Sequence, residues 1–223
     1  MAQSDTVDRI LDAAEELFAE RGFAETSLRM ITSKAGVNLA AVNYHFGSKN
    51  SLIQSVFARF LTPFSTTLEA EFDELEARPG ERAPSVEEIL GALTGSAVRM
   101  PQRNDRGISI FMRLLGLAYT QSQGHLRAFL EDEYRGIFTR FMALLKQATP
   151  ELNSVDRYWR IQFMLGATAF TMSSSDALRD ILQAKKGVET PVQEIAARLI
   201  PFLAAGMQAS DRMLVPRAEA SVL

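Results

Sequence analysis

Cysteine is absent from the 223 residues. Disulfides, thiol nucleophiles and thiolate metal sites are therefore excluded, and a reducing compartment suits the chain. Histidine is nearly absent. His45 and His125 stand far apart and make a poor acid–base centre or metal site, so no metal and no cofactor is expected. The patterns GxSxG, HExxH, GxxxxGK[ST] and GxGxxG are all missing, which argues against an enzyme. No apolar run approaches the ~18–20 residues needed to span a bilayer. The opening MAQSDTVDRI lacks the basic region and apolar run of a signal peptide. The expectation is a soluble, cytoplasmic protein without a membrane partner. One more absence is local. Residues 26–68 hold no Asp or Glu, in a chain with 27 acids and a net charge of −3. Arg29, Lys34, Lys49 and Arg59 all fall in that window, while Asp5, Asp8, Asp12, Glu15, Glu16, Glu20 and Glu25 precede it. A local basic window in an acidic chain is the footprint of a small polyanion-binding surface.

What is present is helix. With 47% apolar and 23% charged residues the chain can build a substantial core. Val7, Ile10, Leu11, Ala14, Leu17 and Phe18 recur at helical spacing, with Ser4 or Asp5 as cap and Arg21-Gly22 as the end; Phe23 can then fold back on Phe18. A short helix follows Ser27, with Leu28, Ile31 and Ala35 on one face, and Gly36 stops it. Asn38 caps a third helix from Leu39 to near Phe46. Two short helices about so tight a glycine turn make a helix-turn-helix. Ser48 caps a long fourth helix, in which Pro63 predicts a kink or a boundary. Arg78-Pro79-Gly80 and residues 101–104 read as breaks, and Pro84-Ser85 opens the next helix. Further helical stretches are expected at about 105–120, 124–148, 155–186 and 191–209. No segment alternates like a strand. The expected fold is all-α: a three-helix helix-turn-helix domain over 1–47, a larger helical ligand-binding and dimerisation domain over 48–210, and a flexible tail over 211–223.

The third helix can be read on its own. With Val42 and Phe46 as buried anchors and Leu39 beside them, Ala40 and Tyr44 lie opposite at 100° per residue, flanked by Ala41 and Asn43. That face suits a major groove: Asn43 can pair with adenine, and the methyls of Ala40 and Ala41 can meet thymine methyls. Ser27, Tyr44, His45 and Lys49 are placed for phosphates, Lys49 at the start of a helix whose free amides add to the site. Lys34 is equally readable as a solvated side chain.

The string TSLRMITSKAGVNLAAVNYHFGSK, preceded by ILDAAEELFAERGF, resembles the TetR family of repressors. Family members share a first helix ending in Gly-aromatic, then T-x-x-x-I-x-x-x-A-G-V, a short recognition helix and F-x-S-K. The resemblance implies a repressor acting as a homodimer on double-stranded operator DNA. It also matches Arg29 to a position that reaches a guanine or a phosphate in relatives. Where relatives commonly carry tyrosine, this chain has Asn43. The resemblance goes further: AGVNLAAVNYHFGSK, SIFMRLLGLAYTQSQGHLRAFLE and FMLGATAF are similar to fatty-acid-responsive members of the family. That similarity implies release from DNA by a long-chain fatty acid or acyl-CoA, and control of lipid-degradation genes.

In the second half, ISIFMRLLGLAYTQS is apolar almost all round, as a buried helix is. Arg113 interrupts it. A buried guanidinium needs a partner: the head group of an acidic ligand, an internal acid such as Asp132 or Glu133, or water reached by its stem. Phe111, Met112, Leu115, Tyr119, Phe138, Met142, Phe163, Met164 and Met172 are candidate walls of a ligand tunnel, although aromatics and methionines at helical spacing also make plain core. Trp159, Phe163, Gly166, Ala167 and Phe170 form one apolar stripe, and Ile195, Leu199, Phe202, Leu203 and Gly206 another. Both suit a dimer interface, since two half-sites need two recognition helices. A helical scaffold would need neither the acid-free window nor the motif. A repressor of an efflux system answering to drugs would carry both.

Overall fold

The computed structural model describes residues 2–78, 82–99, 107–121 and 123–210. The breaks read at 79–80 and 101–104, and the tail over 211–223, lie outside them. Among the described residues there are eleven helices and no strand: α1 (Ala2–Glu25), α2 (Leu28–Ala35), α3 (Leu39–Phe46), α4 (Lys49–Glu76), α5 (Val86–Arg99), α6 (Gly107–Thr120), α7 (Gly124–Glu133), α8 (Arg135–Ala148), α9 (Ser154–Ser173), α10 (Ser175–Lys186) and α11 (Val192–Gln208). None is long and apolar enough to cross a membrane.

The caps read at Ser27, Asn38 and Ser48 are made, whereas α1 starts at Ala2, ahead of Ser4 and Asp5. Ser27 accepts from the Met30 amide at 3.2 Å, Asn38 from Ala41 at 2.8 Å and Ser48 from Ser51 at 3.1 Å. Gly36 closes α2 at φ 64°, ψ 39°, a left-handed conformation that glycine takes without a Cβ clash. Ahead of α5, Ser85 and Glu88 form a reciprocal capping box, the Ser85 amide donating to Glu88 Oε2 at 2.7 Å and the Glu88 amide to Ser85 Oγ at 3.2 Å. The Ser85 amide, and then Arg82 and Arg78, hold the Glu88 carboxyl below its usual range against the opposing cost of its burial.

Three expectations are corrected, and of the two readings of Pro63 the boundary is not taken. Helix α1 does not end at Gly22 but kinks there and resumes to Glu25, and Thr26 Oγ donates to the Gly22 and Leu17 carbonyls at 2.8 and 3.0 Å. Helix α4 passes through Pro63 without ending, because buried anchors lie on both sides of it: Leu52, Ile53, Val56 and Phe57 before, Leu68, Phe72 and Leu75 after. The stretch 124–148 is two helices, broken at Tyr134, whose hydroxyl bonds Thr62 Oγ at 2.9 Å. The stretch 155–186 is likewise two helices, broken at Ser174.

The apolar face of α1 makes one continuous cluster with α2, α3 and the first half of α4. Phe111, Leu114 and Ala118 of α6 and Leu126 of α7 complete it. Phe18, Phe23, Phe57, Phe111 and Phe60 touch in sequence, with ring centroids 5.1–6.3 Å apart. Two further clusters build the rest. One joins Val86, Leu90, Leu145, Met164, Leu203 and Met207 from α5, α8, α9 and α11; the other joins Leu68, Phe72, Leu75, Ile89 and Leu144 from α4, α5 and α8.

Electrostatics reinforce the seam between α1 and α4. Asp8, Asp12 and Glu15 share one face of α1, and the Arg59 guanidinium of α4 reaches all three at 3.4, 2.6 and 2.8 Å. Arg59 is thus turned inward and is no part of an outward basic face. Its side chain is 10% exposed and that of Glu15 8%, so neither charge is free to find water instead. Arg59→Met leaves Glu15 buried without its cation and is expected to cost about 3 kcal/mol of stability, the low end for such a loss because Asp8 and Asp12 stay wet. Arg59→Met combined with Glu15→Leu should recover most of it. Urea unfolding of the two variants checks this; equal loss in both would contradict the pairing.

Candidate DNA-reading surface and sensing half

Helix α3 is held from behind. Val42 is fully buried, Phe46 and Ala41 pack partly against the first cluster, and Arg9 of α1 donates to the carbonyls of Ala35 and Gly36 at 3.0 and 2.8 Å. The turn between α2 and α3 is therefore fastened to α1 by a side chain that periodicity gave no reason to single out. The outer face carries Ala40, Asn43 and Tyr44, all exposed, with Tyr44 77% exposed and edge-on to His45 at 5.0 Å. Ala41 is half-buried, so Ala40 is the more outward of the two alanines. Leu39 is not an anchor: as the first helical residue it overhangs the core and is 38% exposed.

The basic window resolves into different fates. Arg29 is exposed on α2, and Ser27 is exposed with its hydroxyl engaged as the cap. Lys34 pairs with Glu16 of α1 at 2.5 Å, and that hydrogen bond raises its pKa. Lys49 Nζ donates to the Ala24 carbonyl at 3.4 Å; burial there lowers its pKa, with Glu25 opposing. Four cations thus leave Arg29 and Lys49 as those beside the α3 face.

In the sensing half the sequence-derived residues do not converge on one spot. Phe111 is buried between Phe57 and Phe60, with Met112 and Leu115 half-buried in the same cluster. Met164 belongs to the second cluster and Met172 is buried near the end of α9. Met142 is half-buried on α8, whereas Tyr119 and Phe138 are exposed. Phe163 points outward and stacks on Trp159 at 6.2 Å, on the α9 stripe. Arg113 is exposed on the flank of α6, and Asp132, one of its proposed partners, pairs with Arg135 instead. Arg113 is thus not buried, and of the three fates its position left open its stem takes the one that reaches water. The buried guanidinium of this half is Arg157, which closes the turn between α8 and α9 by donating to Thr149 Oγ, Thr149 O and Leu152 O at 3.1, 2.8 and 2.5 Å.

The α9 stripe is real: Trp159, Phe163, Gly166 and Phe170 are all exposed, as are Phe202 and Gly206 of α11. A Cβ built on either glycine meets open space. Leu199 is half-buried against the second cluster. Leu203 is 8% exposed and lies inside its own protomer's core, one position round the helix from the outward Phe202.

Helix α6 is the link between the halves. It packs chiefly on α9 and on α1. Just past its end, Gln121 Oε1 accepts the Phe23 amide at 3.1 Å, and its Nε2 occupies the space a Cβ on Gly22 would need, 2.6 Å away. Gly22 has φ 82°, a backbone conformation that favours glycine, and a Cβ there would also push the Gln121 amide aside. Gln54 of α4 donates to the His125 carbonyl at 3.4 Å on the other side of the same bend.

A capped helix-turn-helix with its second helix bared, set on an all-helical body, defines a DNA-binding transcription regulator. The comparisons make this specific: residues 10–56 match the model of the bacterial regulatory proteins of the tetR family, and residues 91–206 that of the tetracyclin repressor-like C-terminal domain. The chain belongs to the TetR family, whose members are regulators and not enzymes. It is 39% identical over 64 residues to the probable HTH-type transcriptional regulator YttP of Bacillus subtilis, covering 29% of this chain and 31% of YttP. It is 29% identical over 154 residues to the regulator SrpR of Pseudomonas putida, covering 60% of this chain and 72% of SrpR. The match to YttP thus spans about a third of that relative. Among solved structures, the fatty acid degradation regulator FadR from Bacillus halodurans superposes with a TM-score of 0.57 at 18% identity, over 90% of this chain and 95% of that one. A TetR-like regulator from Rhodococcus sp. RHA1 does so at 0.56 and 20%, over 91% and 95%. These likenesses show the fold.

Two substitutions separate reading from positioning. Asn43→Ala is expected to cost about 1–3 kcal/mol of operator affinity and to relax preference at one base position. Lys49→Ala should weaken all DNA sequences alike and shrink the salt slope by about one unit. Fluorescence anisotropy on operator variants across a salt series measures both. Uniform weakening by Asn43→Ala would remove it from base readout.

Proposed function

We propose that this chain is a homodimeric repressor that grips double-stranded operator DNA with α2 and α3 of each protomer. A long-chain fatty acid or its acyl-CoA releases it, and the genes it controls are those of lipid degradation. On this reading residues 1–47 are the reading head and 48–210 the sensing and dimerising body. The observation that carries the DNA half is the outer face of α3, where Ala40, Asn43 and Tyr44 stand exposed on a helix capped at both ends. Dimerisation is supported by the exposed aromatic stripe of α9 and α11, and by the two-fold symmetry that paired half-sites demand.

The ligand class is supported by three strings, AGVNLAAVNYHFGSK, SIFMRLLGLAYTQSQGHLRAFLE and FMLGATAF, which are similar to those of PsrA, a TetR-family repressor that responds to long-chain fatty acids. Half-buried Met112, Leu115 and Met142 suit a flexible acyl chain, because thioether and leucine side chains repack at low cost. The signal travels through α6. A ligand that moves α6 moves Phe111 against Phe57, and Gln121 against the Gly22–Phe23 turn of α1. The head then presents half-sites at a spacing other than the ~34–36 Å of one helical turn.

A ligand shifts this equilibrium only by its difference in affinity for the two shapes. A hundredfold loss of operator affinity corresponds to about 2.7 kcal/mol, within the usual range for coupled sites. The test is to titrate operator complexes with oleate, oleoyl-CoA and unrelated planar drugs. Release by oleate or oleoyl-CoA is expected. Release by the drugs alone would overturn the lipid reading and leave the regulator. Gln121→Ala should shrink the coupling factor severalfold, whereas Gln121→Glu, which keeps an acceptor for the Phe23 amide, should retain most of it. Equal coupling in both variants and the wild type would take Gln121 out of the path.

A further inference from the structure

Helix α10 is at odds with its surroundings. Leu178, Ile181 and Leu182 recur at i, i+3 and i+4, the spacing of a buried stripe, yet all three are exposed. From Asp176 to Glu189 every residue but Arg179 is exposed, and no α10 side chain joins any of the three apolar clusters. Among the described residues the principal packing of the helix on its own protomer is through α9, to which the single residue Ser174 joins it. A solitary helix of 12 residues is marginal in water even with favourable composition. An amphipathic helix that persists here must have its stripe covered.

We propose that α10 is an arm that docks its Leu178–Ile181–Leu182 face on a second copy of this chain. The inference rests on the dimer reading given above and adds a contact that the α9–α11 stripe does not contain. Two observations select the second copy as the occupant. The first is continuity: Phe170, the last outward aromatic of α9, stands one turn before the junction with α10, so the apolar surface of α9 runs on into the arm. The second is area. Trp159, Phe163, Phe170 and Phe202 are 54–69% exposed. Four such rings offer roughly 300–700 Å² per protomer at about 150–250 Å² each, against about 800 Å² per partner in a standard interface. The face of α10, with Val188 exposed just beyond it, enlarges that apolar surface toward a standard interface. The polar side of the arm, with Asp180 and Gln183, stays in water, while Lys185, one turn beyond Ile181 on the apolar face, lays its stem along the partner and keeps its ammonium in water.

The chain has no cysteine, so a single introduced thiol is labelled cleanly. Ile181→Cys carrying a benzophenone maleimide is prepared with natural-abundance and with ¹⁵N-labelled chains, which are mixed, allowed to exchange subunits and irradiated. Sedimentation equilibrium is run on the same samples. A dimer whose cross-linked peptides pair light with heavy chains is the expected result. A dimer whose cross-links stay within one chain, or that forms none, overturns the arm while leaving the dimer. A monomer overturns the dimer reading and the arm with it. Separately, Leu178→Asp and Ile181→Asp should each raise the dimer dissociation constant at least tenfold with unchanged far-ultraviolet dichroism, since neither side chain is buried in its own protomer. A dissociation constant equal to that of the wild type overturns the proposal.

Discussion

Five phenylalanine rings in mutual contact across α1, α4 and α6 hold the reading head to the sensing body. Each aromatic pair contributes on the order of 0.5–1.5 kcal/mol beyond the burial of its surface, and protein interiors packed this way shift between discrete arrangements more readily than they deform. Helix α1 is therefore a shared wall. On one side it carries α2 and α3, fastened by Arg9 and Val42; on the other it meets α4 and α6, fastened by Arg59 and Gln121. On the proposed reading, what displaces α6 pushes on this shared wall, to which α3 is fastened.

The electrostatic layout follows from the same wall. The acid-rich face of α1 would repel a polyanion if it stood alone. Instead Arg59 offsets part of the charge of Asp8, Asp12 and Glu15, and Lys34 pairs with Glu16, so two of the four cations in the acid-free window are turned toward α1. What faces outward beside α3 is Arg29, with Lys49 held against the end of α1.

The head was legible in the sequence because its rules are local. A cap needs only a side chain two or three residues from an amide, and Ser27, Asn38, Ser48, Gly36 and Gly47 all act where their spacing places them. The body was legible as helices but not as surfaces. Arg113 and Arg157 both interrupt helices of this half, and only the turn between α8 and α9, with its Thr149 and Leu152 carbonyls, decides that Arg157 is the buried one of the two. Leu203 and Phe202 are adjacent, and nothing short of the position of α5 tells which faces inward. The breaks at Tyr134 and Ser174 carry neither glycine nor proline, so periodicity runs straight across them.

The lock between Gly22 and Gln121 bears on the exchange of reading heads between regulators. A graft that joins a foreign head to this body at the start of α4 brings its own residue to position 22 while keeping Gln121. A residue with a side chain there must push the Gln121 amide aside and hold a backbone conformation that L-amino acids rarely adopt. Heads whose first helix ends in Gly-aromatic bring the kink with them and seat Gln121 unchanged; a head that lacks that glycine does not.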